Sequence, residues 1–410
     1  MQRQAAYRNC MMLLALLGTA ATGFTAPAFA QADTAPLSDV KFDVTAEYNS
    51  NVARSDAARA AARGLSRSDQ RITPGLTVDL ARNLGQTRVW LNGSAGYDFY
   101  RRNSQLNRER IGLEGGIKQP IGPCRVDITA GISRRQSDLG DIAFVNNSPS
   151  FAVKNAETRQ EYQGDITCGR EYGLRPTGDV GYVIARNSNL IRDRAEYDEL
   201  EYQGGLSYST PNFGDLTAYA GRRDIDLLNQ PTAGGGEVSY HITTIGARYR
   251  RDIGSRLDAQ FSIGRSAIRG GGALVPNNSG LTWDVEVTAQ FGPRLQVTAS
   301  TGRQFVNSLS SDAAYLRTQP NLVQLTYAVN DRMRLQASYL NERRSYRYAT
   351  PQVGTFIDRE TRQLGGGGFT YDFGRRWQIG LSGGYERRNA NGTFFDYDGA
   401  FARATLSLSL

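Results

Sequence analysis

Hydrophobic and polar residues alternate along most of this chain with the two-residue period of a β-strand. The segment 256–264, RLDAQFSIG, places Leu, Ala, Phe and Ile on one face and Arg, Asp, Gln and Ser on the other. The segments 125–133, 283–291, 332–340 and 376–385 alternate in the same way. No helical period of 3.6 residues is sustained in the mature part. The pattern predicts an all-β protein whose strands have one apolar and one polar face.

The connections between these segments are of two kinds. Short ones, containing Gly, Pro, Asn or Asp, lie at 83–86, 119–123, 211–215, 251–255, 292–293, 329–331 and 373–375. Long polar ones lie at 49–68, 137–155, 227–236, 269–279, 307–313 and 347–357. Outer-membrane barrels have tight turns at one end and longer loops at the other. We therefore predict a transmembrane antiparallel up-and-down β-barrel.

The number of alternating segments sets the size of this barrel. They form nine hairpins and hence eighteen strands, from about Lys41 to Leu410. Sixteen strands is the alternative, because 41–48 and 169–200 alternate less clearly. The final residues, FARATLSLSL, alternate as well, which suits closure of the barrel by its last strand. A soluble propeller or sandwich would not be expected to alternate short and long connections.

The N-terminal residues have the pattern of a secretory signal peptide. Arg3 and Arg8 precede a short apolar run, and a small-x-small motif ends at Ala30. The apolar run is too short to span a bilayer. The sequence thus predicts a cleaved signal peptide at 1–30 and a single barrel domain at 31–410.

Composition agrees with this interpretation once the two-faced strands are considered. The mean hydropathy of −0.47 resembles that of a soluble protein, but barrel strands average to polar because lumen-facing residues alternate with lipid-facing ones. The 45 Gly and 21 Tyr residues suit bending strands and aromatic girdles. The net charge of +8 raises the question of nucleic-acid binding. Export and the even spread of the arginines argue against a nucleic-acid partner.

A set of arginines in the inward phase follows the short turns. Its members are Arg88, Arg125, Arg256, Arg294, Arg332, Arg334 and Arg376. As a ring around the periplasmic mouth of the lumen, they would attract an anionic solute. The alternative is that inward acidic residues neutralise them in cross-strand pairs. The candidate acids are Asp79, Asp127, Asp258, Asp284, Glu286 and Asp372.

Two cysteines remain after the signal peptide, and they flank the hairpin around 137–155. If its strands pair through residues whose numbers sum to about 292, Cys124 and Cys168 face each other on the outward side. A disulfide at the periplasmic rim is therefore geometrically plausible, with two free thiols as the alternative. The absence of a CxxC spacing makes either arrangement structural rather than catalytic.

The sequence offers no enzymatic site. His241 is the only histidine, it lies at the loop end of a predicted strand, and no nucleophile elbow surrounds it. The sequence contains no Cys/His cluster that would indicate a metal site. The glycine run at 365–368 lacks the helix and the Lys of a phosphate loop, so we interpret it as a bending strand. We predict no catalytic residues, no cofactor, no metal, and a protein that is not an enzyme.

Three early segments resemble a known family. DVTAEYNSNVARSD (43–56), RITPGLTVDLARN (71–83) and RVWLNGSAGYDFYRRN (88–103) look like the opening of the β-barrel porin 2 family, and turns such as FTYDFGRRW (369–377) recur later. That family includes barrels similar to EpsL, encoded with exopolysaccharide biosynthesis genes. The resemblance implies an outer-membrane pore serving polysaccharide export, with no catalytic residues to carry over.

The favoured function is therefore a conduit for an acidic exopolysaccharide in the outer membrane of a Gram-negative cell. One alternative is an anion-preferring diffusion porin for small solutes, which an inward-folded loop at 137–155 or 49–68 would favour. Another is a structural or adhesive barrel, which a lumen plugged by paired charges would favour. The expected partners are outer-membrane lipid and lipopolysaccharide, the barrel-assembly machinery, the polysaccharide polymer and periplasmic export components.

Overall fold

The computed structural model describes residues 37–140, 153–229, 238–254, 256–270, 275–307, 313–348, 357–391 and 395–410. The predicted signal peptide at 1–30 lies outside the described residues, as do parts of several long connections. Among the described residues, no helix combines the length and the apolar character that a membrane-crossing helix requires.

The alternating segments form eighteen strands. They are β1 Leu37–Asn49, β2 Asp69–Leu84, β3 Thr87–Tyr100, β4 Arg108–Ile121, β5 Cys124–Gln136, β6 Ala156–Cys168, β7 Gly173–Asn187, β8 Tyr197–Thr210, β9 Gly214–Leu227, β10 Val238–Ile253, β11 Leu257–Gly270, β12 Asn278–Phe291, β13 Leu295–Val306, β14 Tyr315–Asn330, β15 Met333–Arg347, β16 Arg359–Phe373, β17 Trp377–Ala390 and β18 Tyr397–Ser409. Each strand pairs antiparallel with the next, and β18 pairs with β1. The eighteen-strand barrel is confirmed, and the alternative of sixteen strands is wrong.

The two ends of the barrel differ as the connections predict. Each even-numbered strand up to β16 joins the following odd-numbered strand through a short turn, and we call this side the turn end. The remaining connections are longer and lie at the opposite side, the loop end. The turn at 169–172 and the connections at 101–107 and 188–196 did not stand out in the sequence. Two of them, 169–172 and 188–196, lie in the stretch 169–200, where the alternation is less clear.

Short helices occur in the loop-end connections. The only α-helix of the described residues, α1, spans Ala57–Ala62, and its N-cap Asp56 accepts a hydrogen bond from the Arg59 amide at 2.8 Å. Two 3-10 helices span Ser104–Leu106 and Leu190–Ala195. They are too short to give the sustained helical period that a sequence pattern can reveal.

The two faces of the strands are those that the alternation predicts. In β1, Phe42 and Val44 are 45 % and 37 % exposed on the outer face, whereas Glu47 on the inner face is buried. Large exposed hydrophobic and aromatic residues recur at every second position around the barrel. Such an apolar outer band is what lipid contact requires of a transmembrane barrel.

Buried apolar residues gather at the loop end rather than in the middle of the barrel. One cluster includes Tyr197, Ile225, Tyr240 and Ile268, and two smaller ones surround Leu106 and Ile357. In the middle portions of the strands, the inward residues are mostly polar and do not form such a core. The loop end of the barrel is therefore the more tightly packed end.

The glycine run at 365–368 is part of β16, as interpreted from the sequence. It pairs with β15 and β17 in regular register. A Cβ on Gly368 would lie 2.6 Å from the Leu381 carbonyl oxygen, and one on Gly384, opposite Gly366, would lie 2.8 Å from the ring of Phe401. Close strand approach and the inward Phe401 ring thus require glycine at these two positions.

Candidate functional site

The connection between β1 and β2 reaches the inner wall formed by the neighbouring strands β17 and β18. Its residue Arg54 is the only non-glycine residue with a positive φ (49°) among those described. The guanidinium lies 2.5 Å from the Asp138 carboxylate and 3.1 Å from that of Glu386 on β17. It also stands 5.9 Å from the centre of the Tyr397 ring on β18. An unfavourable backbone conformation held by buried ion pairs is typical of a functional position.

The connection between β5 and β6 meets Arg54 at the same place. Asp138 also lies 3.6 Å from Arg362 on β16. A Cβ on the neighbouring Gly140 would come within 2.8 Å of Arg388 and 2.9 Å of Tyr397, so the backbone there lies directly against β17 and β18. The β1–β2 and β5–β6 connections thus both contact the wall formed by β16 to β18. We call Arg54, Asp138, Arg362 and Glu386 the latch.

The wall that receives the latch carries a ladder of alternating charges. Its strands repeat a Glu-x-Arg pattern on the inward face, with members Glu342 and Arg344 on β15, Glu360 and Arg362 on β16, and Glu386 and Arg388 on β17. The register sets Glu342 opposite Arg362 and Arg344 opposite Glu360. Glu360 also pairs with Arg388, and both are almost completely buried. Neighbouring opposite charges offset the cost of burying each one.

A second charge network lines β1 to β4 and β18. Glu47 pairs with Arg71 at 2.8 Å and with Arg403 at 2.5 Å. Asp98 pairs with Arg110 at 2.9 Å and with Arg71 at 3.4 Å. This network continues across the seam at which β18 closes onto β1, so charge pairs encircle much of the loop end.

A third connection also enters the lumen. Beyond Arg303, β13 pairs with β14 but no longer with β12. This hairpin tip, described at 304–307 and 313–316, reaches β8 to β10 instead. Arg223 donates to the Phe305 carbonyl at 2.7 Å, and the Tyr240 hydroxyl donates to the Ala314 carbonyl at 2.9 Å. Three connections therefore narrow the loop end.

The latch carboxylate is held ionised. Burial opposes the charged form of Asp138, but Arg54, Arg362 and Arg388 outweigh it and hold the pKa of this carboxyl well below its ordinary value. Burial likewise opposes the charged form of Arg54, but Asp138 and Glu386 raise the pKa of its guanidinium. The charges of the latch thus stabilise one another.

The turn-end half of the lumen is different, because many of its inward side chains are partly exposed, although Trp90, Ser207 and Thr217 are buried. Hydroxyls bond across strands, as between Thr45 and Thr405 at 3.0 Å and between Thr288 and Thr298 at 3.1 Å. The Asp258 side chain is 37 % exposed even though Arg250 lies 3.0 Å away. Small hydroxyl and amide groups leave room for water and solute.

Three aspartates form a row on one side of this half. Asp127, Asp165 and Asp179 lie directly opposite one another on β5, β6 and β7. Lys118 lies 3.5 Å from Asp127, while Gln163 and Gln203 donate to the other two at 3.2 Å and 2.9 Å. Like charges in adjacent positions make this wall negative.

The structure distributes the predicted arginines between strands and turns. Arg88, Arg125 and Arg334 lie on the inward faces of β3, β5 and β15. The other four, Arg256, Arg294, Arg332 and Arg376, lie exposed in the turns immediately before β11, β13, β15 and β17. Their carbonyl oxygens accept hydrogen bonds from the amides of Gln290, Ala328, Asp372 and Ser409. All seven arginines therefore lie near the turn end of the barrel. That they attract anions stays a prediction.

Several of the acids suggested as their partners bind other groups. Asp127 pairs with Lys118, and Asp258 pairs with Arg250. Asp372 accepts a hydrogen bond from Gln378 at 2.7 Å. Asp79, Asp284 and Glu286 also lie on the inward faces of their strands.

Cys124 and Cys168 face each other at the turn end of β5 and β6 and form a disulfide. His241 is an outward residue near the loop end of β10. Within the described ranges, no group of three or more His, Cys, Asp or Glu residues could hold a metal ion.

The sequence interpretation missed the latch and the charge networks. The available signal was the Glu-x-Arg pattern repeated in the inward phase near the loop ends of three late strands. The alternation gives the face of each of these residues. It does not give the partners of Arg54 and Asp138, which belong to irregular connections.

No family model matches the sequence, and no curated protein does. Among solved structures, a BenF-like porin from Pseudomonas fluorescens Pf-5 aligns with a TM-score of 0.48 and 11 % identity, covering 92 % of this chain and 99 % of that one. OccK2 (OpdF) from Pseudomonas aeruginosa, in complex with glucuronate, gives 0.45 and 10 %, with 92 % and 98 % covered. The siderophore receptor PirA from the same organism gives 0.41 and 12 %, with 92 % and 81 % covered. These scores are low, so no residue role is taken from these proteins.

Proposed function

We propose that this protein is an outer-membrane diffusion porin for small hydrophilic solutes, with its constriction at the loop end. The observation that carries the proposal is the entry of three connections into the lumen above a water-accessible half. Two of them meet at the ion pair between Arg54 and Asp138. Folded-in loops that narrow an otherwise polar lumen select solutes by size and charge.

The constriction argues against the polysaccharide conduit that the family resemblance implies. A polymer in transit needs a continuous lumen wide enough for a sugar chain, whereas buried ion pairs and apolar clusters occupy the loop end. The ladder of paired charges by itself would favour the alternative of a structural or adhesive barrel, whose lumen such pairs would plug. The turn-end half, with its partly exposed Asp258, favours a pore instead.

Conductance in planar bilayers tests the proposal. We expect the purified protein to pass a small ionic current and Arg54→Gln to pass a larger one. Breaking a buried ion pair costs about 3–5 kcal/mol, which is enough to release the connection from the wall. Arg59→Gln is the matched control, because Arg59 lies in the same connection and pairs only locally, with the N-cap Asp56 of α1.

Two outcomes would contradict the porin. If neither the native protein nor Arg54→Gln conducts, although both migrate as folded barrels on heat-modifiability gels, the lumen is closed and the protein is structural. If an acidic exopolysaccharide blocks the native current from the periplasmic side while small sugars do not, the conduit is the better interpretation.

A further inference from the structure

Outward-facing arginines near the loop end differ in the charge of their neighbours. On the side formed by β4 to β9, arginines have acidic neighbours on the outer surface. These pairs are Arg134 with Glu109, Arg186 with Asp198 at 2.7 Å, and Arg222 with Asp224 at 2.6 Å. Exposed pairs of this kind neutralise the surface locally.

The opposite side carries arginines grouped with one another. Arg317 on β14, Arg343 and Arg347 on β15, and Arg359 on β16 all lie in the outward phase. Ser345 lies opposite both Arg317 and Arg359, so these two flank the same position. Arg343, Arg347 and Arg359 are exposed, and Arg317 is partly so. We call these four residues the outer arginine patch.

The patch has no acidic partner within the described part of the chain. The ion pairs of these strands involve the inward arginines Arg344 and Arg362, and none among the described residues includes a member of the patch. The charged groups that act on Arg317 are all positive, namely Arg303, Arg347 and Arg359. Grouped like charges repel one another and are stabilised by a bound anion.

The position of the patch relative to the lipid band indicates which anion it meets. Val323 and Tyr339 are 44 % and 48 % exposed, and they are the last large apolar outward residues of β14 and β15 before polar Asn321 and Asn341. Arg343 lies four residues beyond Tyr339. At about 3.3 Å per residue and a tilt of about 40°, this is roughly 10 Å above the hydrocarbon edge. That depth corresponds to lipid headgroups.

We propose that the outer arginine patch binds the phosphate groups of lipopolysaccharide in the outer leaflet. Guanidinium groups bind phosphate oxygens through paired, charge-assisted hydrogen bonds. Several arginines on neighbouring strands present such donors to one phosphorylated headgroup. The proposal rests on the barrel spanning the outer membrane and not on an open lumen, so its test is independent of conductance.

Binding of deep-rough lipopolysaccharide to the detergent-purified full chain tests the patch, with native mass spectrometry as the readout. We expect the variant with Arg317, Arg343, Arg347 and Arg359 all changed to Gln to bind at least about tenfold more weakly, which is ~1.4 kcal/mol. The matched control changes Arg134, Arg186 and Arg222 to Gln on the opposite side. Chemically dephosphorylated lipopolysaccharide should not distinguish the native protein from the patch variant.

Equal loss of binding in the control variant, or an equal effect on dephosphorylated lipid, would overturn the proposal. If the fourfold variant fails to fold on heat-modifiability gels, Arg343→Gln with Arg359→Gln carries the test, because both side chains are exposed. Unchanged binding in that folded double variant would also overturn the proposal. Lysine replacements should retain part of the affinity, since they keep the charge but lose the paired geometry.

Discussion

Arg54 shows how much a single residue contributes to the constriction. Its positive φ lies in a region that non-glycine residues seldom adopt. Its guanidinium joins Asp138 of another connection to Glu386 of the wall. A sequence pattern cannot identify such a residue, because irregular connections have no period that fixes the direction of a side chain.

The depressed pKa of Asp138 gives a pH prediction at this scale. A group whose folded pKa lies below its unfolded value stabilises the fold fully above the unfolded pKa and loses this contribution as the pH falls through the folded pKa. The ordinary value for Asp138 is 3.8, and burial is outweighed by Arg54, Arg362 and Arg388. The latch should therefore stay closed from pH 8 down to at least about pH 4.

Single-channel recording across this range checks the prediction. Native conductance at constant salt should show no opening transition above about pH 4. Asp138→Asn should give the larger conductance at every pH, because the amide cannot ion-pair with Arg54. A native opening transition centred near pH 6 would contradict the depressed pKa.

At the scale of elements, the barrel strands follow their sequence pattern and the β13–β14 hairpin departs from it. Phe305 and Tyr315 are outward by alternation, yet both are buried in the cluster that contains Tyr240, with Tyr315 packed between the other two rings. The hairpin tip separates from β12 and folds into the lumen, so its outer face meets the inner face of β10. Gly280 on β12 lies next to this tip, at a position where a Cβ would make ordinary van der Waals contact with the Phe305 ring at 3.6 Å.

Removal of the Tyr240 hydroxyl should loosen this hairpin tip. Tyr240→Phe deletes the donor to the Ala314 carbonyl, and a buried acceptor left without its partner costs about 1–3 kcal/mol. We expect faster hydrogen exchange at the amides of Val306 and Leu316. Tyr249→Phe is the control. Tyr249 lies at the turn end of β10, far from the hairpin tip, and its hydroxyl donates to the Phe213 carbonyl. Equal acceleration in both variants would mean a general loss of stability.

At the scale of the whole molecule, ring closure places distant strands opposite each other. Strands β6 and β15 are nine positions apart in a ring of eighteen, so Asp165 and Arg334 lie on opposite walls near the turn end. The aspartate row on β5 to β7 therefore faces the side that carries Arg294 and Arg332. We predict that these opposed charges create a field across the lumen and orient solutes that carry both signs.

This field predicts opposite changes in ion selectivity. Changing Asp127, Asp165 and Asp179 together to Asn should move the reversal potential in a salt gradient toward anion selectivity. Arg334→Gln should move it toward cation selectivity, because each change removes one sign of charge from a water-accessible wall. Asp358→Asn, at an exposed loop-end position, is the control. A shift of the same sign in both lumen variants would exclude a transverse field.

The sequence by itself determined the barrel. The two-residue period is a local property, and it is imposed on every strand by lipid outside the barrel and water inside it. The number of strands, their inward and outward faces and the two ends of the barrel could therefore all be predicted. The tertiary structure alone decided which connections fill the lumen and which charges pair. Arg54 and Glu386 are 332 residues apart, and only closure of the ring brings them together. The constriction is therefore a property of the closed barrel, because the strand pattern gives the direction of a side chain but not its partner across the lumen.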